Sequence, residues 1–127
     1  MPHRRLIDIV VISCAISAGI HGALAPEHLE EGTGPGLGFA VSTVLLAAVA
    51  VVLTRHASAL PLTVAAALLA GLLGAYALAL TTGLPVLDPE TEAVDGLALF
   101  TKAVETLGLA AAVTALLFHT QPKGTTT

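Results

Sequence analysis

LGFAVSTVLLAAVAVVLT, residues 37–54, is eighteen consecutive residues without a charge, closed by Arg55. The hydrocarbon core of a bilayer is about 30 Å thick and takes roughly 20 apolar helical residues to cross. A run of this length therefore reads as a membrane span. Three more runs lie around it. Residues 6–25 are interrupted only by Asp8 and His21, residues 60–82 carry no charge, and residues 94–118 hold Lys102 and Glu105. Each is expected to be helical, because lipid offers the backbone no water and a helix satisfies its own amides.

Composition agrees with that reading. The chain has 127 residues, enough for one domain. Only 11% are charged and 55% are hydrophobic, whereas a soluble domain carries about 25% charged residues. So few charges cannot cover a water-facing surface, and the bilayer becomes the chain's first expected partner. The single cysteine, Cys14, excludes an internal disulfide framework and a multi-cysteine zinc site. Residues 23–25, Ala-Leu-Ala, resemble a signal-peptide cleavage site. Asp8 breaks the apolar region such a peptide needs, so the first run is read as a retained span.

Breakers divide the runs. Pro26 and GTGPG (residues 32–36) stand between the first two, Pro61 between the middle pair, and GLPVLDP (residues 83–89) between the last two. Loops are expected at about 26–36 and 83–93. Short connections make sequential helices antiparallel neighbours, which gives an all-α, transmembrane four-helix up-down bundle. Threading the chain through four spans puts Arg4, Arg5, Arg55 and Lys123 on one side. Glu27, Glu30, Glu31, Asp88, Glu90, Glu92 and Asp95 fall on the other. Lys and Arg mark cytoplasmic loops, so both termini are expected inside and the acidic loops outside.

Small residues recur every four positions at Ala15, Gly19 and Ala23, at Gly34, Gly38 and Ser42, and at Ala67, Gly71, Ala75 and Ala79. Such stripes let helix backbones approach closely in lipid, and they are the expected contact faces. The segments LAPE (24–27) and LDPE (87–90), about half a chain apart, suggest two helix pairs related as a parallel repeat.

The chemistry gathers at the outer ends of the first and last spans. Residues 21–31, HGALAPEHLEE, hold two histidines and three glutamates. Each helical residue turns about 100°, so positions seven apart nearly superimpose. That aligns Cys14, His21 and His28, with Ser17 beside them and Glu31 sharing the face of His28. On the fourth span Asp95, Lys102, Glu105 and Thr106 form a facing stripe, with Glu105 at the depth of His21. An ionised side chain mid-helix costs about 2.5–3.5 kcal/mol on insertion scales, so Glu105 and Lys102 should turn inward and pair.

Two readings follow. In one, His21, His28, Glu31 and Glu105 converge on a divalent transition metal (Zn, Cu or Fe), since imidazole and carboxylate suit those ions. Lys102 joins the same four as a ligand-binding candidate. In the other, His21 bonds to a backbone carbonyl or a serine, the outer residues are merely solvated, and Lys102–Glu105 is a structural ion pair. At the opposite face His3, His56 and His119 are expected to be interfacial, and Asp8 to pair with Arg4, Arg5 or Arg55. Tyr76 is expected to bond a neighbouring carbonyl. Cys14 is a packed thiol or a soft ligand beneath His21. No phosphate-binding loop, catalytic triad or basic patch for nucleic acid is readable.

With HGALAPEHLEE closing the first span, GLPVLDPETEAVD after the third and Glu105 in the fourth, the chain resembles small, uncharacterised four-span integral membrane proteins of high-GC bacteria. His21, His28 and Glu31 match an H-x6-H-x2-E outer segment, and Gly83 with Pro85 a later G-x-P loop. The resemblance implies a multi-pass protein of the bacterial cytoplasmic membrane and no assigned activity. The leading functional expectation is a non-enzymatic membrane protein that binds a metal ion or small ligand at the outer cluster, possible as a homo-oligomer or within a larger membrane complex. The alternatives are a structural accessory subunit and a small proton- or ion-coupled transporter.

Overall fold

The computed structural model describes residues 2–83, 94–121 and 124. Among them regular structure is entirely helical: α1 (Pro2–Glu31), α2 (Thr33–Arg55), α3 (Ala59–Thr81) and α4 (Gly96–Thr120). All four are long and apolar enough to cross a membrane. At 1.5 Å per residue, the shorter pair measure about 35 Å, slightly more than the hydrocarbon core.

The helices run further than the breakers suggest. Residues 26–36, expected as a loop, are helical except for Gly32. Pro26 lies inside α1, as membrane helices tolerate. Pro35 falls in the first turn of α2, where its missing N–H has no intrahelical acceptor to lose. Gly32 alone, in an extended conformation, reverses the chain. Gly36 makes the corner tight: a Cβ there would overlap the side chain of Leu29. Within GTGPG, Gly36 therefore serves close packing and Gly32 the turn. Of the later loop, residues 84–93 lie outside the described residues.

The other ends follow local rules. His56, Ala57 and Ser58 join α2 to α3, and Pro61 sits in the first turn of α3. Gly83 closes α3 at φ 73°, a left-handed conformation that favours glycine, and its N–H donates to the Leu78 carbonyl. Asp95 caps α4 by accepting from the Ala98 N–H at 2.8 Å.

Pairwise contacts give the register. Gly22 faces Thr43 and Leu29 faces Gly36, so α1 and α2 form an antiparallel hairpin. Ser13 faces Gly108, Ser17 meets Glu105 and His3 meets His119, so α4 runs antiparallel to α1 as well. Leu69 against Gly108 and Tyr76 beside Lys102 align α3 antiparallel to α4. The result is the expected up-down bundle. α1 packs along both α2 and α4, α3 leans on α4, and α2 touches α3 more sparingly.

The distribution of polarity is inverted from that of a water-soluble protein. Leu60, Val44 and Leu117 are 74%, 66% and 61% exposed, while Ser13, Ser17, His21, Thr101 and Glu105 are buried. Lipid solvates the apolar outside, and polar groups gain only by turning inward. Ile7, Val10, Cys14, Leu46, Leu53, Leu62, Leu69 and Ala112 make one continuous apolar core. By the register above, that core fills the end of the bundle that holds the N-terminus of α1. The polar groups occupy the other half.

The small-residue stripes are for the most part not the contact faces, although Ala79 is buried and Ala75 half-buried. Ala15, Gly19, Ala23, Ala67 and Gly71 are exposed, and a Cβ added at Gly19, Gly38 or Gly71 would touch nothing. α1 instead buries the opposite face, Ser13, Cys14, Ser17, Ala18, His21 and Ala25. On α4 Gly108, Ala111, Ala112 and Ala115 answer it. The face with hydroxyl and imidazole groups wins because burying it spares those groups from lipid, whereas an alanine face loses little there.

Candidate functional site

Four side chains from two helices join in one hydrogen-bonded chain. Glu105, on α4, is 0% exposed. Its Oε2 accepts from Lys102 Nζ at 2.6 Å, one turn away on the same helix. Its Oε1 accepts from Ser17 Oγ on α1 at 2.7 Å. Ser17 in turn meets His21: the imidazole Nδ1 lies 2.8 Å from the Ser17 carbonyl and 3.3 Å from its hydroxyl. The carbonyl can only accept, so Nδ1 carries the proton. In the neutral ring this leaves Nε2 as the basic nitrogen.

The Lys102–Glu105 pair expected from sequence is present. Removing both charges from water costs several kcal/mol per ion, and a buried pair persists only where further hydrogen bonds satisfy it. Ser17 supplies one of these. The Lys102 ammonium also lies 5.3 Å from the centroid of the Tyr76 ring on α3, within reach of its π face. The Tyr76 hydroxyl is buried and has no hydrogen-bond partner among the described residues, so the expected carbonyl bond is not formed.

His28 and Glu31 do not reach this chain. The ring of Phe39, on α2, lies against both imidazoles: it stacks on His28 at 3.9 Å and 20°, and tilts against His21 at 5.1 Å and 37°. Apolar packing thus takes up the faces that the heptad spacing brings into line. His28 Nδ1 donates to the Leu24 carbonyl at 3.0 Å, and its Nε2 is 3.9 Å from Glu31, whose side chain is exposed. Among the described residues, no three His, Cys, Asp or Glu side chains are grouped to hold a metal ion. Of the four proposed ligands, His21 and Glu105 share a site, while His28 and Glu31 form a second, outer pair.

Sequence reasoning placed Ser17 beside His21 but missed its bond to Glu105, and it passed over Phe39. Ser17 was legible in the i, i+4 series Ser13–Ser17–His21, which places hydroxyls and imidazole on one face. Phe39 had no such signal, since its partners lie on another helix.

At the opposite end His3 and His119 meet edge to face at 4.5 Å. Asp8 is exposed, and no described arginine lies within ion-pair distance of it, so that expected pairing is absent.

What the site can do chemically follows from its donors. It offers a carboxylate with an ammonium on one oxygen, and an imidazole nitrogen with no hydrogen-bond partner among the described residues. Comparison with protein-family models, with curated proteins and with solved structures finds no match. The chain is therefore defined by its class: a small multi-span, all-α membrane protein with a buried polar chain in one half of the bundle.

Proposed function

We propose that this is a non-enzymatic protein of the bacterial cytoplasmic membrane, akin to small four-span proteins of high-GC bacteria, with both termini inside. In this reading it binds a small cation from the outer side at Glu105, as part of a larger membrane assembly. The observation that carries it is the fully buried Glu105, held jointly by Lys102 and Ser17 at the end of a chain from His21. An ionisable group inside a membrane bundle is costly to keep there, which makes it the first candidate for function. Lys102 acts as an internal stand-in, a tethered cation that a proton or metal ion displaces toward Tyr76.

Translocation gains less support than binding, because Val10, Leu46, Leu53, Leu62 and Leu69 fill the other half with apolar side chains. The accessory-subunit reading draws on one observation, that both carboxylate oxygens of Glu105 are already hydrogen-bonded. Metal binding of purified protein in detergent separates the two. With Zn2+, Cu2+ and Fe2+ as probes, Lys102→Met should bind at least one ion about tenfold or more tighter than wild type, since a like charge near 4 Å is removed. Glu105→Gln should abolish binding. A carboxyl infrared band that titrates in Lys102→Met and is missing in Lys102→Met/Glu105→Gln would assign the proton as the cation. If Lys102→Met neither gains metal nor titrates, Glu105 is a structural anchor.

A further inference from the structure

A cavity of about 520 Å3 opens at the end of the bundle away from the Glu105 site, between the first turns of α1 and the last turn of α2. That volume falls within the range of about 300–1,000 Å3 typical of small-molecule sites. Arg4 and Arg55, from two different helices, line it, together with His3 and Asp8. Its deeper wall is apolar, made by Ile7 and Leu53. The chain contains only five Lys and Arg, so two arginines on one cavity are a concentration of charge. Neither is taken by Asp8, which makes no ion pair among the described residues. The buried Nε2 of His3 also lacks a hydrogen-bond partner among them.

We propose that this cavity binds the phosphate group of a membrane glycerophospholipid. The argument is one of shape and charge together. Guanidinium groups bind phosphate oxygens in a planar, bidentate geometry. Basic pockets between spans at the membrane surface are suited to lipid headgroups. With His3 neutral, Arg4, Arg55 and Asp8 sum to one positive charge, which a phosphodiester neutralises. Ile7 and Leu53 meet the start of the acyl chains, which a free phosphate ion lacks. Leu53 and Arg55 lie at the end of α2, the depth at which acyl chain gives way to headgroup. The site is separate from Glu105 and holds whichever way the bundle faces across the membrane.

Native mass spectrometry of delipidated protein, titrated with short-chain phosphatidylglycerol, phosphatidylethanolamine or phosphatidylcholine, tests the proposal. One lipid should bind, and Arg4→Gln and Arg55→Gln should each weaken it about five- to tenfold. Arg5→Gln removes the same charge from the same helix end but lies off the cavity, and should leave affinity within about twofold. Equal loss in Arg5→Gln would reduce the effect to general surface charge and overturn the site. Competition by millimolar inorganic phosphate as strong as that by lipid would overturn the lipid assignment. No bound lipid in wild type would overturn both.

Discussion

Ser17 and Glu105 stand 88 positions apart in sequence and 2.7 Å apart in space, a hydroxyl on α1 donating to a carboxylate on α4. This bond is a polar link between the two helices, within the polar half of the bundle. A hydrogen bond to a charged group contributes about 1.5–3 kcal/mol, so Ser17→Ala should destabilise the bundle by that order. Glu105→Ala should cost more, about 3–5 kcal/mol, because it leaves Lys102 partly buried without its counter-charge. Lys102→Met/Glu105→Leu should recover most of that loss, since neither member then needs solvation. Unfolding in mixed micelles, followed by far-ultraviolet circular dichroism, reads all three. A Ser17→Ala protein as stable as wild type would mean the hydroxyl is idle.

Gly108 marks a close approach of three helices. A Cβ built there would stand 2.6 Å from Ser13 Cβ and 3.1 Å from Leu69 Cδ1, so α1, α3 and α4 meet at this one position. Overpacking a tight contact costs typically about 1–3 kcal/mol, and Gly108→Ala should fall in that range. Ser13→Gly should restore part of the loss by clearing the nearer neighbour. Gly19→Ala and Gly71→Ala, which meet nothing, should be neutral or slightly stabilising, because alanine is the better helix former. Melting temperatures in one detergent decide the matter: if Gly19→Ala is the damaging change, the buried face of α1 is misassigned.

These glycines also mark how far the sequence could be read. The four spans were legible because bilayer thickness sets run length, and the inward turn of Glu105 because lipid penalises charge. The Lys102–Glu105 pair followed from helical spacing alone. Which face of α1 would be buried was not legible. Two stripes, Ala15–Gly19–Ala23 and Ser13–Ser17–His21, lie on nearly opposite faces of the same helix, and only their fit to α4 chooses between them. His28 failed to join His21 for a similar reason. Heptad spacing places both on one line of α1, but the ring that covers them, Phe39, comes from α2. Periodicity constrains positions within a helix. It carries no information about the side chain that a neighbouring helix inserts.

The proposed orientation puts Arg4, Arg5 and Arg55 at the cytoplasmic surface and Glu27, Glu30 and Glu31 outside, where arginines are retained and carboxylates are not. Cysteine labelling reads this directly, because the native Cys14 is buried and serves as the silent background. Ala57, beside Arg55 in the α2–α3 connection, and Glu30, near the end of α1, are both exposed. In intact bacterial spheroplasts a membrane-impermeant maleimide should modify Glu30→Cys fully and Ala57→Cys only after lysis. The two positions belong to opposite ends of the bundle, so each checks the other. The reverse pattern would place the Glu105 site in the cytoplasmic half, and its cation would then arrive from inside the cell.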